Sequence, residues 1–135
     1  MTLVDTNILL DVLTNDPVWR NWSILNLGVR ASQGRLIINE VVYAEMAGHV
    51  PTASELDACL REIEVTFENT PKLALFIAGV AFRQYRRRGG VRTGVLPDFF
   101  IGAYAQVAGL PLLTRDTQRY RTYFPELELI APEGY

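Results

Sequence analysis

The chain is poor in cysteine and histidine, and each shortage narrows the functions it can have. Cys59 is the only cysteine, so no disulfide can form within the chain, which fits the reducing environment of the cytosol. His49 is the only histidine, which excludes, within one chain, a ribonuclease mechanism that needs two histidines. The same two shortages leave no histidine and cysteine cluster of the kind that binds zinc.

The chain also lacks long hydrophobic runs. Its apolar runs are too short to span a bilayer, and Met1–Asp5 has no basic region followed by a hydrophobic one, as a secretory signal would. We therefore expect a cytoplasmic protein that does not enter a membrane. Its 135 residues are 49% hydrophobic and 21% charged, which predicts a single globular domain over residues 1–135.

Lysine is nearly absent as well. Lys72 is the only lysine among thirteen basic residues, so the other twelve are arginines. A formal net charge of −2 is not typical of a general nucleic-acid binder. The planar guanidinium of arginine suits phosphate and carboxylate alike, so the composition permits either RNA or an acidic partner.

Short apolar segments alternate with helical patterns along the whole chain. The predicted strands cover residues 2–5, 35–38, 110–114 and 127–130, with residues 65–68 as either a fifth strand or a connector. The predicted helices cover residues 7–13, 16–32, 39–47, 52–63, 70–88, 98–108 and 118–123. Apolar residues recur at helical spacing in two of them, namely Trp22, Leu25 and Val29, and Leu73, Ile77 and Val80. This alternation predicts an α/β fold with a central parallel sheet of four to five strands, flanked by helices on both faces.

Four acidic residues stand where an apolar segment gives way to a turn or a helix: Asp5, Glu45, Asp98 and Asp116. Two like charges about 4 Å apart repel by roughly 1 kcal/mol in water and several-fold more near a protein interior. A site that gathers several carboxylates therefore usually holds a cation. Ligands that are all oxygen favour Mg²⁺ or Mn²⁺.

The positions of these acids fit the expected fold. Asp5 and Asp116 follow predicted strands, at the sheet edge where functional groups of open α/β sheets collect. Asp98 lies at a predicted helix N-terminus, where the helix dipole favours a negative charge. Glu45 lies within a predicted helix and must project inward to join the others.

Four segments of the chain together resemble the PIN domain family, and within it the VapC-type toxins of toxin–antitoxin pairs. They occur in the family's order, and the resemblance covers essentially the whole chain. The segments are Leu3–Asp11, Asn39–Glu45, Pro97–Ala105 and Leu112–Asp116. The chain departs from the family pattern at Gly102, where alanine is more common.

The resemblance implies a Mg²⁺- or Mn²⁺-dependent endoribonuclease. The acidic metal site would consist of the four carboxylates, namely Asp5, Glu45, Asp98 and Asp116. Thr6 and Asn7 would shape the rim of the site, and Thr114 would donate a hydrogen bond to an acid or a bound water. Metal-assisted hydrolysis of a phosphodiester needs no protein base, which agrees with the shortage of histidine.

Further expectations concern partners. The resemblance implies an RNA substrate and a small cognate antitoxin. Aromatic residues on predicted helices predict a homodimer, namely Trp19, Trp22, Tyr43 and Tyr85. The arginines Arg86, Arg87, Arg88 and Arg92 either bind RNA or end a helix. Asp11 is predicted to be solvated or paired with an arginine, outside the site.

Other classes fit less well. A receiver-like domain would need a late lysine, and a haloacid-dehalogenase-like phosphatase would need an acid where Asn7 stands. A catalytically weak PIN-fold binding module and a DNA or structure-specific nuclease stay as alternatives. A neighbouring gene for a small DNA-binding protein would favour the toxin interpretation.

Overall fold

A computed structural model of the chain describes residues 1–91 and 95–135. Within these residues there are five strands: Thr2–Val4 (β1), Leu36–Ile38 (β2), Val65–Phe67 (β3), Leu112–Leu113 (β4) and Leu129–Ile130 (β5). The same residues form seven helices: Thr6–Leu13 (α1), Arg20–Gln33 (α2), Glu40–Ala47 (α3), Ala53–Glu62 (α4), Lys72–Arg87 (α5), Leu96–Ala108 (α6) and Gln118–Tyr123 (α7).

The five strands form one parallel sheet in the order β3-β2-β1-β4-β5. Leu3 is in register with Ile37 on one side and with Leu112 on the other. Crossover connections between parallel strands are right-handed, so the reversal of strand order at β1 places helices on both faces of the sheet. The predicted α/β fold with a central parallel sheet is confirmed, and β3 supplies the fifth strand.

The three central strands are apolar and completely enclosed. Every residue of β1, β2 and β4 is buried, as expected for parallel strands that are covered on both faces. β4 is shorter than predicted and begins directly after Pro111, because proline has no N–H to donate to a neighbouring strand.

Several helices begin where the sequence predicts a cap. The side chain of Asn39 accepts a hydrogen bond from Val42 N at 3.1 Å, and Thr52 caps α4 in the same way. The predicted start of α2 at residues 16–17 is wrong. Asp16 instead accepts the N–H groups of Val18 and Trp19 in a turn, and the helix begins at Arg20.

The buried faces of two helices differ from the apolar spacing in their sequences. In α2 the buried residues are Ser23 and Leu27, whereas Leu25 is exposed. In α5 the buried residues are alanines: Ala74, Ala78 and Ala81. Alanine lets two helices approach closely, and α5 packs against α6. Leu73 and Phe76 are exposed, whereas Tyr85 is half-buried against the core.

The four aromatic residues predicted to form subunit contacts lie mainly within the monomer. Trp19 packs edge-on against Trp22, with 6.2 Å between their ring centroids, and Tyr43 packs against Phe67 at 5.6 Å. Tyr85 belongs to a cluster with Phe99. The prominent exposed apolar side chains are instead Leu73 and Phe76 on α5, together with Val18 and Leu25.

No helix within residues 1–91 or 95–135 is both long and apolar enough to cross a bilayer.

Candidate active site

The acidic residues gather where β1 and β4 end side by side. Asp5 follows β1 directly, and its N–H donates to Leu113 O at 3.0 Å. Thr114 follows β4 and is fully buried. The strand order reverses between β1 and β4, and ligands of open α/β sheets bind at such a reversal, outside the carboxyl ends of the strands.

Asp5 is the most buried acid of the site. Its Oδ2 accepts Thr114 Oγ1 at 2.8 Å and the Tyr120 hydroxyl at 2.9 Å, and its Oδ1 accepts Thr6 N at 2.7 Å. Burial and the nearby charge of Asp98 raise the pKa of Asp5 to about 7, against the lowering effect of these hydrogen bonds. The carboxylate is thus well oriented but costly to ionise.

Asn7 connects Asp5 to the loop after β4. Its Nδ2 donates to both Asp5 Oδ2 and Thr114 Oγ1 at 3.3 Å, and its Oδ1 accepts Arg115 N at 3.1 Å. Asp116 N donates in turn to Thr114 Oγ1 at 3.0 Å. These bonds place Asp116, which is exposed, at the rim of the site.

Asp98 lies in the first turn of α6, at the helix N-terminus where the sequence predicts it. The helix dipole favours a negative charge at this position. Its Oδ2 accepts an ion-paired hydrogen bond from Arg119 Nη1. The pKa of Asp98 is raised to about 6, mainly by burial and in smaller part by the charges of Asp116 and Glu45, while Arg119 lowers it. Asp98 therefore lies within the electrostatic reach of the three other acids.

Glu45 approaches the site from the last turn of α3. It is exposed, yet its Oε1 accepts a 2.6 Å hydrogen bond from Thr6 Oγ1, the residue that follows Asp5. Through this hydrogen bond the side chain of Glu45 points toward Thr6, next to Asp5, as expected from the sequence. Thr6 therefore contacts two of the four acids, Asp5 through its N–H and Glu45 through its hydroxyl.

Within the described residues, the site has the donor chemistry for a divalent ion but not a converged group of ligands. In residues 1–91 and 95–135, no group of three or more acidic, histidine or cysteine side chains is arranged to hold a metal ion as it stands. The donor chemistry does fit Mg²⁺ or Mn²⁺, because every candidate ligand is a carboxylate oxygen. The pKa values of Asp5 and Asp98 are raised, so a positive charge at the site would favour the ionised forms of both. Asp98 and Glu45 are meanwhile engaged by Arg119 and Thr6.

Two residues of α7 complete the site, and sequence reasoning missed both. Tyr120 reaches Asp5, and Arg119 reaches Asp98. The four-residue spacing of Tyr120 and Phe124 could have indicated a buried helix face. No pattern in the sequence indicates which carboxylate the Tyr120 hydroxyl meets.

Asp11 has a structural role beside the site. It is 2% exposed and accepts two hydrogen bonds from Arg115, both at 2.7 Å, and one from Ser23 Oγ at 2.6 Å. The arginine-paired alternative for Asp11 is therefore confirmed. The pair ties α1 and α2 to the loop that carries Thr114 and Asp116.

A polar cleft of about 330 Å³ adjoins the acids, with walls from α5 and α7. It is lined by Tyr85, Asp116, Gln118, Arg119, Thr122 and Tyr123. The guanidinium carbon of Arg119 lies 5.6 Å from the Tyr85 ring centroid, and that of Arg88 lies 5.3 Å from the Tyr123 ring centroid.

The described arginines that are predicted to bind RNA differ in what they contact. Arg86, Arg87 and Arg88 are all exposed. Arg86 donates to Gly90 O at the end of α5, whereas Arg88 covers one wall of the cleft. Arg92, also predicted to bind RNA, lies outside the described residues.

Comparison with known proteins gives a consistent result for the fold. The PIN domain family model matches residues 2–125. The structure resembles VapBC2 from Rickettsia felis bound to a promoter DNA fragment, with a TM-score of 0.73, 17% identity and 98% of both chains covered. It also resembles VapBC-1 from nontypeable Haemophilus influenzae, with a TM-score of 0.70, 17% identity and 96% of both chains covered. A comparison with curated protein sequences finds no match.

Proposed function

Because this chain belongs to the PIN domain family, we propose that it is a Mg²⁺- or Mn²⁺-dependent endoribonuclease that acts as the toxin of a toxin–antitoxin pair. The main support is the gathering of Asp5, Glu45, Asp98 and Asp116 where β1 and β4 end. Family membership supports a nuclease in general, and the choice of RNA and of the ion is part of the proposal.

In this proposal the four carboxylates would hold the ion, with Asp5 and Asp98 as the principal ligands. The ion would lower the pKa of an attacking water and stabilise the charge that develops on the phosphate. Thr6, Thr114 and Tyr120 hold Asp5 in one orientation through hydrogen bonds to its two oxygens. His49, the only histidine, is exposed beyond the end of α3 and takes no part.

The partner part of the proposal is supported by the resemblance to VapBC complexes and by the exposed apolar surface. The exposed fractions of Leu73 and Phe76 on α5 are 61% and 71%. Leucine and phenylalanine side chains exposed to this extent on one helix are typical of a surface that another chain covers. We assign such surfaces to a small antitoxin and to a second copy of this chain, in the cytoplasm.

Cleavage of RNA by the purified protein tests the proposed reaction. Attack by water predicts products with 5′-phosphate and 3′-hydroxyl ends, whereas attack by the 2′-hydroxyl would leave a 2′,3′-cyclic phosphate. Asp5→Asn and EDTA should each reduce the rate at least about 100-fold, since each removes charge stabilisation at the phosphate.

DNA of the same sequence is the control substrate, and it separates the nuclease alternatives. Comparable cleavage of both polymers would contradict the RNA assignment. Cyclic phosphate ends, or full activity in EDTA, would contradict the mechanism. Binding of RNA without any cleavage would favour the binding-module alternative.

A further inference from the structure

Arg119 gives the acidic site a cation from within the chain. Its Nη1 pairs with Asp98 Oδ2, and its guanidinium lies over the ring of Tyr85. The two paired side chains are 26% and 22% exposed, so the contact is partly shielded from water. Arg119 also lines the polar cleft, together with Asp116.

A divalent ion at the acids would compete with this contact. The Asp98 oxygen that accepts Arg119 belongs to a principal ligand of the proposed site, and a guanidinium beside a divalent ion is repelled by it. The ion carries twice the charge and also contacts the neighbouring carboxylates, so it is favoured in the exchange. We expect an ion that binds this oxygen of Asp98 to displace Arg119 from it.

The cleft provides a place for the released guanidinium. Gln118 and Thr122 line it with neutral polar groups, and Tyr85 provides an aromatic ring against which arginine can stay stacked. The guanidinium fork matches the oxygens of a phosphate. A released Arg119 would present this fork to an anion that enters the cleft beside Asp116.

We propose that Arg119 is an exchangeable cation of the site, which holds Asp98 when no divalent ion is bound and binds a substrate phosphate once an ion displaces it. The exchange follows from the geometry of Arg119 and Asp98. The identity of the anion as an RNA phosphate rests on the proposed function. Ion binding would thus free the Arg119 guanidinium to bind a phosphate of the substrate.

Binding of Mn²⁺ without RNA tests the exchange directly. Free Mn²⁺ is measured by electron paramagnetic resonance with the wild-type protein, Arg119→Gln and Arg121→Gln. Removal of the competing cation should tighten Mn²⁺ binding about tenfold in Arg119→Gln, because an ion-paired hydrogen bond no longer has to break. Arg121→Gln is the matched control, since Arg121 is exposed on the same helix and contacts Tyr135 O instead of any of the four acids of the site.

The result separates the exchange from a general charge effect. If Mn²⁺ binding tightened equally in Arg119→Gln and Arg121→Gln, the effect of Arg119 would be only long-range repulsion, and the proposal would be overturned. Unchanged or weaker Mn²⁺ binding in Arg119→Gln would also overturn it. Arg119→Lys keeps the charge and should bind Mn²⁺ nearly as weakly as the wild type. Thermal melts of each variant confirm that the comparison is between folded proteins.

The second role is tested by fluorescence anisotropy with a short single-stranded RNA in Ca²⁺, with gels to verify that the RNA stays intact. Ca²⁺ should strengthen RNA binding by the wild type, and this gain should fall about fivefold to tenfold in Arg119→Gln but not in Arg121→Gln. An equal gain in all three proteins would overturn the phosphate role. The Mn²⁺ measurement needs no catalysis, so a failure of the proposed ribonuclease activity would leave the exchange independently testable.

Discussion

At the scale of single residues, the site depends on how one buried carboxylate is kept oriented. Asp5 receives donors on both oxygens, and the Tyr120 hydroxyl is the one that comes from outside the family motifs. Each donor that favours the charged form lowers the pKa of a carboxyl group. Tyr120 is therefore a positioning residue that also eases the ionisation of Asp5, against the effect of burial.

Replacement of Tyr120 by phenylalanine tests this role. Loss of the hydroxyl should raise the pKa of Asp5 in the ion-free protein from about 7 by roughly half a unit to one unit. Titration of the Asp5 carboxyl carbon by NMR, in wild type and variant without any divalent ion, measures this shift. Tyr104→Phe is the control, because the Tyr104 hydroxyl bonds Glu68, away from the site. An unshifted pKa of Asp5 in Tyr120→Phe would contradict the role.

At the scale of elements, the position of α7 depends on a close contact with α6. A Cβ atom at Gly102 would lie 2.5 Å from two carbon atoms of the Phe124 ring, which is 2% exposed. Phe124 directly follows α7, the helix that carries Arg119 and Tyr120. At Gly102, where the family more often has alanine, the ring of Phe124 therefore occupies the space that an alanine methyl group would fill.

Two glycine-to-alanine substitutions in neighbouring helices should have opposite effects on stability. Gly102→Ala forces Phe124 to move and should lower the free energy of unfolding by about 1 to 3 kcal/mol. Gly79→Ala, in α5, meets open space and should raise it by roughly 0.5 to 1 kcal/mol, because alanine loses less entropy in a helix. Denaturant unfolding of both variants measures the difference. A stabilised Gly102→Ala protein would contradict the contact with Phe124.

The same element scale explains how much the sequence could predict. Asp5 and Thr114 follow apolar strands, and parallel strands end at one edge, so their proximity follows from local patterns. The parallel sheet and the caps at Asn39 and Thr52 were predictable for the same reason. The caps depend on hydrogen bonds within one turn, and the sheet depends on hydrophobic runs.

Other features depend on contacts between distant elements. α5 buries the face that carries Ala74, Ala78 and Ala81, and it packs against α6. The spacing of apolar residues in the sequence does not indicate that this alanine face, and not the one with Leu73, is buried. The partners of Arg119 and Tyr120 depend on the docking of a six-residue helix against Gly102. Such docking depends on how distant elements pack in the core. The periodic pattern of one segment carries no information about that packing.

At the scale of the whole molecule, the cluster of acids opposes folding when no ion is bound. The pKa values of Asp5 and Asp98 rise from the ordinary 3.8 to about 7 and about 6, mainly through burial. The folded protein therefore binds protons that the unfolded chain has already released between about pH 4 and pH 7. Stability follows the difference in bound protons, so the contribution of these groups falls as the pH rises through this window.

The ion-free protein should accordingly melt at a lower temperature at pH 8 than at pH 5, by several degrees. Millimolar Mg²⁺ or Mn²⁺ should remove most of this loss at pH 8, because the ionised carboxylates bind the ion only in the folded state. At pH 5 the ion should have little effect, since protonated Asp5 and Asp98 are poor ligands. Thermal melts across this range, with and without the ion, measure both effects.

The double variant Asp5→Asn and Asp98→Asn is the control for this prediction. It removes both raised pKa values and two ligands while it keeps the size of the side chains, so its melting temperature should respond neither to the ion nor to this part of the pH range. Suppose instead that the wild-type protein melts at the same temperature at pH 5 and pH 8, and that a saturating ion does not change this temperature. The ionisation of these carboxylates would then cost the folded protein no stability. Asp5 and Asp98 would then have only a structural role, as the N-cap of α1 and as an acid in the first turn of α6. The proposed metal site would be wrong even though the fold is that of the family.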